Sequence, residues 1–306
     1  MRPAPQQGAL RPVLHPETRL GRPRGYNLPT AVTKMLLRYL LKVTHPRRTG
    51  LEWWDLIEIA LVAAGFLAYF LVRGAVIDRE ADAFSHARSI IDLQDMMGIW
   101  IEPEFNAWVV DHRVVTRFLN FVYFWLDFPL VVGVGLLLFW RRRNCYTLLR
   151  DSILISGAFA LVFYWTFPVA PPRYLTDWGF VDTVEQFSNL SYQAQSMRPF
   201  VNPYAAVPSL HVGWAMLLVV AVFQATPHWG PRSAMFAIFV AQSVAVVGTA
   251  NHFILDGVAG LIVCAAALAV GLLLQRYGYP GVRSLIASLE RIADGTSKSE
   301  RVASDG

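Results

Sequence analysis

Two imidazoles, one carboxylate and one guanidinium carry the clearest chemical signal in this chain. His252 and Asp256 are four positions apart, so on a helix their side chains share one face. A carboxylate at that spacing accepts one imidazole N–H and leaves the other ring nitrogen basic. His211 closes the segment Pro-Ser-Leu-His, and Arg173 follows two prolines. The set therefore combines two imidazoles with an orienting acid and an anion clamp.

Phosphoryl transfer through a phosphohistidine suits this set of side chains. One imidazole attacks phosphorus, the carboxylate holds that imidazole in the reactive tautomer, and the second imidazole protonates the leaving oxygen. Arg173 and the backbone N–H groups near Leu210 would bind the equatorial oxygens as negative charge develops. Arg198, which precedes a proline, is a candidate for a second phosphate contact.

The backbone around His211 is typical of a helix start. Pro208 and Ser209 precede a long apolar run, and we interpret Ser209 as the N-cap residue. His211 then lies in the first turn of the helix, whose free N–H groups and positive dipole end attract anions. The prolines on either side of residue 170 end the preceding helix and give the chain an extended path.

Other interpretations of these residues remain open. Arg173 also fits an interfacial anchor, and His211 also fits a polar contact at the helix start. His252 and Asp256 are compatible with simple hydrogen bonds to loop carbonyls. A zinc site built from His211, His252 and Asp256 is chemically possible, because imidazole and carboxylate both bind zinc. We expect no metal and no cofactor, since the neighbouring arginine would repel a cation.

Asp127 is an ionisable residue in the middle of an apolar segment, two positions before Pro129. Such residues are expensive at membrane depth, which favours a functional hypothesis by default. We prefer a structural interpretation, in which its side chain bonds to backbone groups freed at the proline.

The composition indicates a protein displaced toward lipid. The 306 residues are 55% hydrophobic and 16% charged, with a mean hydropathy of +0.39, whereas a soluble domain is roughly 25% charged. These figures exclude disorder, a collagen-like structure and a nucleic-acid-binding arm. The two cysteines are too few for a disulfide framework.

Six apolar segments approach or exceed the length of about 20 residues that crosses a bilayer. They predict spans at Leu56–Val76, Val115–Trp140, Ser152–Pro168, Leu210–Ala225, Ser233–Gly248 and Phe253–Leu274.

The distribution of charge orients these spans. Ten of the 27 Lys and Arg residues precede the first span, whereas the loop at 77–114 is rich in acids. Because cationic loops stay in the cytoplasm, both termini should be cytoplasmic, and the loops at 77–114, 169–208 and 249–252 should face outward. The predicted fold is an all-α integral membrane protein, a bundle of six transmembrane helices with cytoplasmic termini.

The chain divides into four predicted regions. Residues 1–29 are expected to be a disordered basic tail, and residues 30–48 an amphipathic helix lying on the membrane surface. A helix packed on the protein's own loops is the alternative for residues 30–48. The six-span domain occupies residues 50–276, and residues 277–306 form a cytoplasmic C-terminal tail.

Three segments resemble the signatures of the type 2 phosphatidic acid phosphatase superfamily. They are Pro171-Pro-Arg173, Pro208-Ser-Leu-His211 and His252-x-x-x-Asp256, at the end of span three and the starts of spans four and six. They are most similar to the inositol phosphorylceramide synthase-like branch, in which the middle motif reads Pro-Ser-Leu-His rather than Pro-Ser-Gly-His. The resemblance covers roughly residues 50–275.

The resemblance implies a role for each residue. His252 would be the nucleophile, Asp256 its orienting partner and His211 the general acid. Arg173 would bind phosphate, with Ser209 contributing a hydroxyl or N–H contact. Members of the superfamily are metal-independent six-span bundles that act on lipid phosphates or diphosphates.

The chain also departs from the superfamily pattern. Thr166 stands seven residues before Arg173, and Ser191 seven before Arg198, where the first motif has a lysine. Ala245 and Val246 replace the Ser-Arg pair of the third motif. Phosphate binding therefore depends on fewer cations, and Arg198 is a candidate to compensate.

We expect a lipid phosphate or diphosphate phosphatase in the plasma membrane, with its active site facing outward. The alternative is a phosphotransferase that moves a head group such as inositol phosphate onto a lipid alcohol. A non-catalytic lipid transporter is a second alternative, disfavoured because no second charged set is apparent at the other membrane face. The expected partners are the bilayer and a lipid phosphate, with no nucleic acid. The sequence does not indicate the oligomeric state.

Overall fold

The computed structural model describes residues 54–74, 79–187 and 203–288, together with Met35, Tyr39 and Arg291. The predicted tail at 1–29, Arg198, most of the predicted helix at 30–48 and the end of the C-terminal tail lie outside these residues. The described part is helical, with one isolated parallel bridge between Val169 and Ala205. Its helices are α1 (Trp54–Gly74), α2 (Glu80–Met96), α3 (Glu102–Asp111), α4 (Arg113–Trp125), α5 (Phe128–Arg141), α6 (Arg143–Thr166), α7 (Thr183–Phe187), α8 (Leu210–Ala225), α9 (Trp229–Gly248) and α10 (Ile254–Leu273).

Three helices in the described part are long and apolar enough to cross a membrane. They are α6, α9 and the continuous helix Ile254–Ser288, in which α10 runs on past the π-helical turn Leu274–Gly278. The bent pair α4 and α5 qualifies together and raises the count to four, whereas α8 is shorter, at 16 residues. The structure is therefore an all-α membrane protein, and the six-span count stays a prediction.

The segment predicted as a single second span is broken. The helices α4 and α5 meet at an angle of 47°. The break falls at Leu126 and Asp127, and Pro129 lies in the first turn of α5. Proline has no N–H and a fixed φ, so it suits a helix start better than a helix interior. The third span also differs from its prediction, since α6 begins at Arg143 rather than near Ser152.

Close contact between α8 and α10 determines the centre of the bundle. A Cβ at Gly260 would lie 2.0 Å from the Ser209 carbonyl oxygen, and one at Gly213 would lie 2.4 Å from the sulfur of Cys264. Only glycine permits this approach. The first turns of the two helices therefore lie side by side, while α6 packs against both helices and α9 packs against α8 and α4.

An outer layer made of α2 and α3 covers one end of the bundle. Gln94 and Glu102 are fully buried, and they accept hydrogen bonds from the backbone N–H groups of Leu255 and Ile254, each at 3.0 Å. The first N–H groups of a helix have no partner within it. The outer layer therefore caps α10 with side chains from a distant part of the sequence.

A second charged set lies at the other end of α6, contrary to the expectation from the sequence. Arg143 pairs with Asp55 at 2.8 Å, and Arg150 pairs with Asp151 at 2.7 Å and with Glu58. These side chains are nearly buried and join α1 to α6. The sequence argument against a transporter relied on the lack of a second charged set, and that argument therefore does not hold.

Candidate active site

The structure brings His211 and His252 together at one end of the bundle, here called the site end. Their ring centroids are 5.4 Å apart. His211 lies in the first turn of α8, as predicted. His252 lies just before α10, in the predicted loop at 249–252, so it does not share a helix with Asp256. The backbone at Phe253, between the two residues, is extended. His252 and Asp256 are therefore close together without sharing a helix face.

The Nδ1 atom of His252 has two neighbours that accept hydrogen bonds. It lies 2.9 Å from the carbonyl oxygen of Ala206 and 3.4 Å from Oδ2 of Asp256. The same carboxylate oxygen accepts the N–H of Phe253 at 2.8 Å. A carbonyl oxygen can only accept, so Nδ1 carries the proton and Nε2 carries the lone pair. The nearer orienting group is thus a backbone carbonyl, with Asp256 beside it.

The segment that supplies this carbonyl is fixed to the end of α6. Val169 donates its N–H to Tyr204 at 2.8 Å and accepts the N–H of Ala206 at 3.3 Å. The hydroxyl of Tyr164, on the last turns of α6, donates to the carbonyl of Pro208 at 3.1 Å. The bond between Val207 and Pro208 is cis. The proline-rich exit from α6 therefore positions the imidazole of His252.

Asp127 contacts His211, which differs from the role predicted for it at the proline. Its Oδ2 lies 3.3 Å from Nε2 of His211, and it makes no side-chain capping bond at the start of α5. The contact with His211 supports the functional hypothesis for Asp127, and the structural interpretation stays a prediction. The ring of Tyr123 stacks on His211 with centroids 4.6 Å apart. The available signal was an ionisable residue within an apolar segment, which is a functional hypothesis by default.

Arg173 lies next to the loop that carries His252. It is in the 3₁₀ turn Pro172–Tyr174, donates its backbone N–H to Ala250 at 2.8 Å and bonds Asn251 through its side chain. Its Nε lies 3.5 Å from Oδ2 of Asp182. Burial opposes its charge, but nearby acidic groups, Tyr174 foremost, raise the pKa of Arg173 above its usual value. The guanidinium therefore remains a cation beside the two histidines.

Ser209 occupies the predicted N-cap position of α8 without capping it. Its hydroxyl is fully buried and has no hydrogen-bond partner among the described residues. Its backbone N–H donates to the carbonyl of Asp256 at 2.9 Å. The start of α10 is capped by the outer layer, whereas that of α8, at Leu210, has no side-chain cap. The N-terminus of α8 is thus the better placed of the two to receive an anion.

Among the residues that the structure describes, no group of three His, Cys, Asp or Glu side chains is arranged to hold a metal ion. The zinc site considered from His211, His252 and Asp256 is therefore not assembled. One carboxylate oxygen of Asp256 has no hydrogen-bond partner in the described part.

Comparisons with known proteins support the resemblance carried by the three segments. The PAP2 superfamily profile matches residues 88–270. A protein of Bacteroides thetaiotaomicron named phosphoinositol dihydroceramide synthase is 25% identical over 222 residues, which cover 66% of this chain and 69% of that protein. No solved structure shows significant similarity to the chain. The matched region contains both histidines and the helices beside them. The chain therefore belongs to the PAP2 (type 2 phosphatidic acid phosphatase) superfamily, and within it to the inositol phosphorylceramide synthase-like branch.

Proposed function

We propose that this protein is a membrane-embedded phosphotransferase that moves a phospho-head group from a phospholipid to a lipid alcohol through a phosphohistidine. The observation that carries the proposal is the geometry of His252. Its Nδ1 lies 2.9 Å from the carbonyl oxygen of Ala206, and its ring centroid lies 5.4 Å from that of His211. The similarity to a phosphoinositol dihydroceramide synthase favours an alcohol over water as acceptor, and an inositol phosphate as the group transferred.

In the first half-reaction Nε2 of His252 attacks phosphorus. The N–P bond forms as the bond between phosphorus and the lipid oxygen breaks, and His211 donates a proton to that oxygen. In the second half-reaction His211 takes the proton of the acceptor hydroxyl, whose oxygen attacks phosphorus. The N–P bond breaks, and His252 returns to its starting form.

Three features would stabilise the charge on the transferring group. Arg173 is a cation within contact of Asn251, which adjoins His252. The N–H groups at the start of α8, near Leu210, form the positive end of the helix dipole, which faces the same region. The buried hydroxyl of Ser209 would donate to a phosphate oxygen, which would give it the partner that it lacks. Donors placed in advance stabilise a developing oxyanion strongly.

Asp127 supports the proton transfer by His211. A carboxylate 3.3 Å from Nε2 forms an ion pair with the ring when the ring is protonated. His211 must carry a proton when the first step begins, and it regains a proton from the acceptor hydroxyl in the second step. Asp127 therefore acts as a positioning residue through His211. The ring of Tyr123, which stacks on the imidazole, limits the rotation of that ring.

The proposed topology has six spans with both termini in the cytoplasm. In this topology α1 and α8 also cross the membrane, in addition to the helices that are long and apolar enough to do so. The site end lies at the outward face of the plasma membrane. The excess of Lys and Arg before α1 and the acids of the loop at 77–114 support this orientation. Cysteine labelling from outside intact cells at Asp177, an exposed position near Arg173, would test it.

The experiment for the reaction uses purified protein with a radiolabelled phosphatidylinositol donor and a ceramide acceptor. We expect label to appear in the ceramide product, and acid-labile label on the protein when the acceptor is omitted. Release of free inositol phosphate with no transfer would mean that water is the acceptor and that the protein is a phosphodiester hydrolase. If lipid turns over but no radiolabel is found on the protein, however the reaction is stopped, the result would contradict the phosphohistidine intermediate.

A further inference from the structure

An apolar cavity, open on one side, lies between α1, α5 and the half of α6 that begins at Arg143. Its volume is about 380 Å³. Apolar cavities of about 150 Å³ already bind benzene, and ligand pockets begin at about 300 Å³. The cavity is therefore large enough for a sizeable ligand.

The outer end of the cavity adjoins the proposed site. Phe66 and Phe128 line it there, with ring centroids 5.4 Å apart. Phe128 follows Asp127 directly in the chain, and Asp127 contacts His211. Along α5 the lining extends from Phe128 to Phe139, which at the rise of a helix is about 16 Å. The cavity thus leads from the proton donor toward the opposite end of the bundle.

The lining favours hydrocarbon over water. Tyr146 and Arg150 are the polar side chains among the lining residues, and both are engaged, because the tyrosine hydroxyl donates to Glu58 at 3.0 Å and the guanidinium pairs with Glu58 and Asp151. Trapped water needs two to four polar partners. The remaining lining residues are aliphatic, phenylalanine or glycine.

We propose that this cavity binds one hydrocarbon chain of the lipid substrate while the phosphate lies between His211 and His252. This inference rests on the proposed function and adds the place of the chain to it. A chain held along the cavity would fix the position of the phosphate without taking part in the chemistry. The ring pair Phe66 and Phe128 would lie where the chain meets the head group.

Two glycines of α5 provide a matched test. A Cβ at Gly133 or at Gly135 would meet no atom within 4 Å, so both positions accept a larger residue. Gly135 lines the cavity, whereas Gly133 does not. Gly135→Leu therefore fills the cavity, and Gly133→Leu adds the same side chain to the same helix outside it. Both variants keep every residue of the proposed catalytic machinery.

The first measurement is photocrosslinking by a phosphatidylinositol analogue with a diazirine near the end of one acyl chain. We expect mass spectrometry to find cross-links at lining residues such as Val62, Val132 and Leu154. These cross-links should disappear in Gly135→Leu and persist in Gly133→Leu. Cross-links elsewhere in the wild-type protein, or equal loss in both variants, would overturn the proposal.

The second measurement compares turnover of long-chain and short-chain donors. Gly135→Leu should lower kcat/KM for the long-chain donor at least about tenfold, because a displaced chain no longer holds the head group in place at the two histidines. A dibutanoyl donor should react equally well in both variants. Full activity of Gly135→Leu on the long-chain donor would assign the cavity to a non-substrate lipid and refute the proposal. A wild-type protein that turns over no lipid would count against the proposed function alone, because cross-linking decides the question of the cavity.

Discussion

The two ends of the bundle both bury charged side chains, but they satisfy them differently. At the opposite end, marked by Glu58 and Arg150, two arginines pair with three carboxylates, and the hydroxyl of Tyr279 donates to Asp151 at 2.5 Å. At the site end, the hydroxyl of Ser209 and one oxygen of Asp256 have no partner in the described part.

The difference separates a structural network from a site prepared for a ligand. A buried polar atom without a partner costs about 1–3 kcal/mol. The opposite end pairs its charges and joins α1 to α6 in doing so, although the buried hydroxyl of Ser152 there also has no partner in the described part. The site end retains the cost beside two imidazoles, where an oxygen of an incoming phosphate would accept the hydrogen bond of the Ser209 hydroxyl. Removing side chains should therefore affect chemistry at one end and stability at the other.

Loss of His252 should have the largest effect on activity. His252→Ala removes the proposed nucleophile and should lower kcat/KM at least about 10³-fold, the effect expected if this residue forms the covalent intermediate. The readout is head-group transfer by the purified variant at equal folded protein. His228→Ala is the matched control, because that exposed histidine lies at the start of α9. Activity of His252→Ala within tenfold of wild type would place the nucleophile elsewhere.

The pair His211 and Asp127 should have the next largest effect. His211→Ala should lower kcat by about 10²–10⁴, the contribution of a general acid. Asp127→Asn should lower it less and move the alkaline fall in activity to lower pH, because the imidazolium loses its carboxylate partner. Full pH–rate profiles measure both effects. An unchanged alkaline limb in Asp127→Asn would show that the carboxylate serves only the fold at the bend between α4 and α5.

Arg173 should follow, with an effect that depends on the geometry of its charge. Arg173→Gln removes the cation and should raise KM and lower kcat, by about tenfold to a hundredfold overall, because a charge-assisted bond is worth about 1.5–3 kcal/mol. Arg173→Lys should recover only part, since an ammonium cannot bind phosphate in two places. Steady-state kinetics of the two variants test this, and complete rescue by lysine would mean that charge alone matters.

The opposite end should show the smallest effect on chemistry. Arg150→Met leaves Glu58 and Asp151 buried without their cation and should destabilise the fold by about 3–5 kcal/mol. Specific activity of the folded fraction should stay within about twofold, because the change lies at the opposite end of the bundle and its field weakens with distance. Thermal unfolding gives the first quantity and transfer assays the second. Arg141→Met, at an exposed position of α5, serves as the control.

Local sequence signals predicted the frame of the site well. The proline-rich exit from α6 and the start of α8 directly after Pro208 follow from proline chemistry, which acts over a few residues, and the apolar run after His252 predicted the start of α10. The three resembling segments lie at those points, so the meeting of His211 with His252 was predictable from the sequence.

Long-range partners were not predictable in the same way. Asp127 and His211 are separated by 84 positions and Glu102 and Ile254 by 152, and no periodicity links such pairs. The bend at Leu126 had a local signal in Pro129, but the apolar run on both sides favoured one continuous span. The carbonyl of Ala206 carries no side-chain signal at all, because every residue has a carbonyl.

The fastening of the outer layer has a consequence for how substrate arrives. Gln94 and Glu102 hold the first turn of α10, and Asn106 donates to the carbonyl of Gly248 at 2.9 Å. Lifting α2 and α3 would therefore strip buried backbone groups of their partners, so we expect donor molecules to arrive sideways, by two-dimensional diffusion within the bilayer. Turnover should then follow the mole fraction of donor in the membrane rather than its bulk concentration, and inert lipid should act as a diluent.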